Sequence, residues 1–214
     1  MDNEDDRNLT SLEIDTMQEI MNIAFGQAAA DLAEIIDLYV VLSVPDVNFI
    51  KGEDLNDYIN CEMEDFKTCH IVEQSYSGKT KGVALLLFPH GAENTLLTLF
   101  KSDLSKSLGY ASHGELEKEV LMEIGNILIG ACVSKIAELL NDSITFQPPR
   151  ITTGESFCYS FLHKMFSRDD WAILFRTVFN FEKRDVAGYL FLINSQVSIS
   201  YIKKALNDFW QRYE

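Results

Sequence analysis

Asn22 and Asn126 lie 104 residues apart, and the same offset carries Glu19 to Glu123, Gly26 to Gly130 and Pro45 to Pro149. Four identities in one register mark an internal duplication. Each half reads as a long helix followed by a few strands, which alone cannot bury both a helix layer and a sheet. The expected architecture is therefore α/β of the α+β kind. It is internally duplicated, with two long helices packed on a mostly antiparallel sheet and related by pseudo-twofold symmetry.

Local signals place the elements. Thr10 and Glu13 have the spacing of a capping box, in which hydroxyl and carboxylate each satisfy an orphan amide, and a helix is expected from about Ser11 to Asp37. The stretch VVLSVPDVNFI follows, then a polar stretch containing DYINCEMED. CHIVEQSY and GVALLLFPH, separated by SGKTKG, read as a hairpin. ENTLLTLFKSDL closes the half as a short helix. Ser112 and Glu115 offer a second capping box, before a helix to about Leu140. SITFQPPRI, the pair of runs within WAILFRTVFNFEKRDVAGYLFLIN, and VSISYIKKALNDFWQRY then repeat the order. Residues 1–9 are expected to be a mobile acidic leader, and 10–214 one domain of two repeats, about 10–108 and 112–214.

An apolar fraction of 47% suits a chain that buries a core, whereas a formal charge of -15 argues against nucleic acid or an anionic membrane as a partner. Cys61, Cys69, Cys132 and Cys158 form no CxxC pair and no zinc spacing, and MDNEDDRNLT has no signal-peptide character. The longest unbroken apolar run, Val83 to Phe88, is too short to span a bilayer. A reduced, cytoplasmic protein is expected.

At about 100° per residue, Asp15, Glu19, Asn22 and Gly26 fall on one stripe of the first helix. Met17, Met21, Ala24, Ala28, Leu32 and Ile35 fall on the opposite side. In the second helix Glu119, Glu123, Asn126 and Gly130 take the polar stripe; Leu121, Gly125, Leu128, Cys132, Ile136 and Leu139 take the other. A mid-helix Gly costs about 1 kcal/mol relative to Ala. Core packing does not account for one that faces outward twice. Such a low surface beside Glu and Asn suits the close approach of another protein.

The stripe is a poor self-contained active site. His70, His90, His113 and His163 are scattered, no GxSxG is present, and Gly78-Lys79-Thr80 has Glu73 where a phosphate-binding loop needs glycine. A metal held by Asp15, Glu19 and Asn22 would have too few oxygens from one helix face. Completing a partner's site is more economical. Asn can orient a water and Glu can pair with a lysine, and acyl-phosphate hydrolysis needs chiefly an in-line water and charge neutralisation by Mg²⁺.

The pattern Asp15-x3-Glu19-x2-Asn22, with 22 residues before Pro45, resembles the motif of the CheC/CheX/FliY chemotaxis phosphatases. Glu119-x3-Glu123-x2-Asn126, with 22 residues before Pro149, repeats it. Two copies over essentially the whole chain look most similar to the CheC branch. The resemblance implies hydrolysis of the aspartyl phosphate of a response-regulator receiver domain of the CheY type. Asn22 and Asn126 would orient the water, Glu19 and Glu123 would pair with the receiver's lysine, and Mg²⁺ would be held by the receiver. No cofactor or metal is implied for this chain itself. Asp15 and Glu119 are supporting motif positions, Pro45 and Pro149 structural ones, and Gly26 and Gly130 part of the docking surface. Glu119 departs from the family's Asp or Ser, which makes the first site the stronger expectation. A CheD-like protein is a further partner of such chains. The rival reading is a non-catalytic adaptor that holds a receiver domain or a CheD-like protein on the same faces.

Overall fold

The computed structural model describes residues 9–36, 39–62, 65–97, 113–157, 166–167, 170–182 and 186–211. Helix α1 (Ser11–Ile36) starts at the expected capping box: the Thr10 amide donates to Glu13 Oε2 at 2.7 Å, and the Glu13 amide to Thr10 Oγ1 at 3.2 Å. Leu9, assigned by sequence to the leader, is only 6% exposed. It sits one residue before the cap, where an apolar side chain packs back on the helix it precedes, so Leu9 belongs to the helix start. Residues 1–8, Asp37 and Ser112 lie outside the described residues.

Strands β1 (Val40–Leu42) and β2 (Asp46–Lys51) follow, then helix α2 (Leu55–Cys61) and the hairpin of β3 (His70–Ser77) and β4 (Lys81–Phe88). Residues 92–97 are helical, and the rest of the expected closing segment lies outside the described residues. The second half contains helix α3 (His113–Leu139), β5 (Thr145–Phe146), β6 (Arg150–Thr153), the single-turn α4 (Gly154–Phe157), the hairpin of β7 (Trp171–Phe181) and β8 (Val186–Ser195), and helix α5 (Ile199–Trp210). By composition α3 is long and apolar enough to cross a membrane, but Val120, Leu121, Ile124, Leu128, Ile129 and Cys132 are buried in the core.

One eight-stranded sheet runs β1-β7-β8-β4-β3-β5, with β2 continuing beside β7 and β6 beside β3, all pairs antiparallel. Each half's short strands therefore pair with the other half's hairpin. At the centre Leu86 of β4 lies opposite Leu190 of β8, and these positions are themselves 104 apart. In the helix layer the Lys135 ammonium is 3.6 Å from the Asp31 carboxylate, again a pair 104 apart.

Strand β4 explains the layering. Its alternate side chains Ala84, Leu86 and Phe88 join the core beneath α1 and α3, while Val83, Leu85 and Leu87 face the opposite side. A strand apolar on both faces needs cover on both. Leu55 and Ile59 of α2, Phe66, and Phe157 of α4 provide it. The polar stretch leading into DYINCEMED thus holds a helix, Leu55–Cys61, that sequence reading did not assign. Its end is tied to the sheet by Arg176, which lies 2.7 Å from both Asp46 and Glu62 and stacks over Tyr189.

Helix α3 ends in a Schellman turn. Asn141 takes the left-handed conformation (φ 54°), and the Asp142 amide reaches back to Ala137 O at 2.8 Å. This delivers the Asp142 carboxylate to the β3–β4 turn. There it accepts from the Lys79 amide at 2.9 Å, the Thr80 amide and hydroxyl at 2.8 Å each, and the Ser143 amide at 2.7 Å.

Candidate functional site

The register of α1 is set by its apolar residues. Met17, Ile20, Met21, Ala24, Phe25 and Ala28 are buried, a wider stripe than two rows because α1 also packs against α3. Asp15, Glu19, Asn22 and Gly26 are consequently all exposed. A Cβ added at Gly26 would meet nothing within 4 Å, and the same holds at Gly130. Neither glycine is required by contacts inside the described chain. Gly125 differs: its Cβ would come within 2.7 Å of Val72, so this glycine lets α3 approach β3 closely.

Pro45 is buried immediately before β2, and its carbonyl accepts a 2.8 Å hydrogen bond from Gln18 of α1. Its position in the motif is thereby tied to the helix that carries Glu19 and Asn22. Pro149, half-buried, precedes β6 in the same way.

A groove of about 440 Å³ opens beside the first stripe, lined by Asp15, Thr16, Glu19 and Ile23 of α1 and by Phe209 and Trp210 of α5. Two carboxylates on one wall and two aromatic rings on the other suit a cationic side chain with apolar neighbours. No third carboxylate, His or Cys joins Asp15 and Glu19 in a metal-binding cluster among the described residues. The aromatic wall was not found from sequence, because Phe209 and Trp210 lie near the far end of the chain.

The second stripe is less open. Glu123 is exposed, while Glu119, Asn126 and Gly130 are half-buried. The Asn126 Oδ1 accepts a 2.9 Å hydrogen bond from Gln74 Nε2 of β3, which also donates to Gln147 O at 3.1 Å. Among the described residues the Asn22 side chain makes no such bond. Gln74 too was missed from sequence, since a polar residue in a strand gives no sign of which helix position it faces.

The remaining histidines lie elsewhere. His70 and His90 approach the buried Glu93 at 3.8 and 3.9 Å, and Glu93 accepts from the Gly91 amide. The side chain of His113, and His163 altogether, lie outside the described residues.

The sequence matches the model of the CheC-like family over residues 116–152, a segment that holds Glu119, Glu123, Asn126, Gly130 and Pro149. The flagellar motor switch phosphatase FliY of Bacillus subtilis is 24% identical over 144 residues, 67% of this chain. The chain spans 36% of that relative's length. The fold is similar to that of Thermotoga maritima FliY, with a TM-score of 0.69, 18% identity, and coverage of 94% of this chain and 98% of the other. It is also similar to the middle domain of FliM from H. pylori, with a TM-score of 0.61, 8% identity, and coverage of 92% and 99%. Fold alone thus groups the chain with the middle domain of FliM as well as with FliY. The chemistry has to be read from the helix faces.

Proposed function

We propose, from the premise that the chain belongs to the CheC/CheX/FliY family, that it is a phosphatase acting on the aspartyl phosphate of a response-regulator receiver domain. The observation that carries this reading is the repeated outward Glu, Asn and Gly on α1 and α3, with open space at both glycines. A receiver surface brought against the glycine would meet the Asn one turn away and the Glu two turns away.

In this mechanism the Asn22 or Asn126 amide holds a water in line with the phosphorus. The water oxygen forms the new P–O bond as the bond to the aspartyl oxygen breaks, leaving a carboxylate on the receiver and inorganic phosphate. Glu19 or Glu123 pairs with a lysine of the receiver and fixes its orientation. The receiver would hold the Mg²⁺, which would supply charge neutralisation at the phosphoryl oxygens. No covalent intermediate forms on this chain.

A duplicated domain of two repeats, about 10–108 and 112–214, is part of the same proposal. It is supported by the strand order, which is unchanged when each strand is exchanged for its counterpart, and by the pairs Leu86–Leu190 and Asp31–Lys135. A twofold axis through both pairs runs the long helices in opposite directions. Each Asn then lies nine residues, about 14 Å of helix, from the axis on opposite sides, giving two separate sites.

The test is phosphate loss from a purified phosphorylated receiver with Mg²⁺, alone and with wild type, Asn22→Ala, Asn126→Ala and the double variant. Acceleration by wild type that falls with each substitution and disappears in the double variant is expected, each site losing about 10²-fold in rate. Undiminished hydrolysis by the double variant would reject the mechanism. An adaptor that holds a receiver or a CheD-like protein is the second reading, favoured by the fold shared with the FliM middle domain. Binding without any acceleration by wild type would select it.

A further inference from the structure

The two sites differ in what stands behind the asparagine. Gln74 is 3% exposed, and its amide contacts Gln147 O and the Asn126 side chain. A backbone carbonyl only accepts, so the Gln74 atom facing it is the NH₂ group. The second hydrogen of that group needs an acceptor, so Asn126 turns Oδ1 toward Gln74 and Nδ2 away from it. Among the described residues Gln74 Oε1, also buried, has no hydrogen-bond partner. An unmet buried acceptor is a cost that stability alone does not select.

The first site has no equivalent. The counterpart of Gln147 at the 104-residue offset is Ser43, whose carbonyl accepts from the Thr177 hydroxyl, a side chain too short to bridge onward to α1. The β7 residue that faces the helices in Gln74's place is therefore Thr177 itself, between Phe175 and Phe179 in the core beneath α1 and α3, and it has no amide to offer Asn22. Gly125, by bringing α3 close to Val72, sets the second helix within reach of β3; the first helix has Met21 at that position.

We infer that Gln74 is a positioning residue for Asn126, holding its amide in one orientation before any partner binds and making the second site the more active of the two. The inference rests on the proposed phosphatase reading and reverses the order of the sites expected from Glu119. Asn22 must lose its side-chain freedom when the receiver docks, whereas Asn126 has already lost it. Immobilising one such side chain costs enough to change a rate by about five-fold.

In the Asn22→Ala background, Gln74→Met keeps the volume and removes the donor. It is expected to lower kcat about five-fold with KM for the phosphorylated receiver unchanged. In an Asn126→Ala chain, which works through Asn22 alone, Gln74→Met leaves the rate unchanged, and among single variants Asn126→Ala loses more activity than Asn22→Ala. An equal fall in both backgrounds, no fall, or a greater loss with Asn22→Ala overturns the inference. Side-chain amide NMR of the wild type reads the restraint without catalysis. Slow hydrogen exchange of the Gln74 NH₂ and a single fixed rotamer for Asn126 are expected, and solvent-rate exchange at Gln74 overturns the inference even where the protein is a phosphatase. If no receiver is dephosphorylated, the same spectra still report on Gln74, so the two failures are distinguishable.

Discussion

Trp210, close to the end of α5, donates its indole N–H to the hydroxyl of Thr16, which itself donates to Leu12 O at 2.6 Å. This chain of bonds fixes one wall of the groove beside Glu19. Trp210 remains 44% exposed, and a partly open aromatic ring beside carboxylates is a favoured contact for a docking protein. Trp210→Ala is expected to weaken binding of the phosphorylated receiver to an Asn126→Ala chain by about ten-fold, with kcat nearly unchanged. Titration calorimetry and steady-state kinetics check the split.

The glycines separate into two kinds. Gly26→Ala meets no atom within 4 Å and is expected to stabilise the fold by about 0.5–1 kcal/mol through helix propensity while raising KM at the first site. Gly125→Ala places its Cβ 2.7 Å from the stiff side chain of Val72 and is expected to destabilise by about 1–3 kcal/mol. Urea denaturation of both variants beside wild type provides the comparison.

Two carboxyls respond to pH with opposite signs. Burial acts to raise the pKa of Asp142, but hydrogen bonds from Lys79, Thr80 and Ser143 outweigh it and hold the carboxyl below its ordinary range. With the folded pKa depressed, its contribution is present above the unfolded value of about 4 and is lost as pH falls through the folded pKa. Burial raises the pKa of Glu73, an effect only partly offset by Arg150. Its folded state favours the proton, so it is most favourable below the unfolded value of about 4.3, and stability falls as pH rises toward the folded pKa. Asp142→Asn should flatten the acid limb of a melting-temperature profile, and Glu73→Gln should raise the melting temperature at neutral pH. A Glu73→Gln chain that melts lower at pH 7 contradicts the assignment.

The helix faces were legible because a helix of known period turns spacing directly into direction. Asp15, Glu19, Asn22 and Gly26 stand exposed where the stripe put them, and Met17, Met21, Ala24 and Ala28 are buried opposite. The helix α2 was not legible, since Leu55 and Ile59 are isolated apolar residues in a polar stretch. Yet the unbroken run Val83 to Phe88 already required cover on both faces, and that cover had to come from somewhere in the chain.

Spacing and repetition alone determined that two equivalent polar stripes exist, that each has a glycine within it, and that the helices bearing them lie on an antiparallel sheet. All three follow from periodicity, a local property of the chain. Only the tertiary structure decided that the stripes are unequal. Trp210 reaches Thr16 across 194 residues and Gln74 reaches Asn126 across 52. Such contacts depend on how the hairpins and α5 pack against the helices, which no local period encodes.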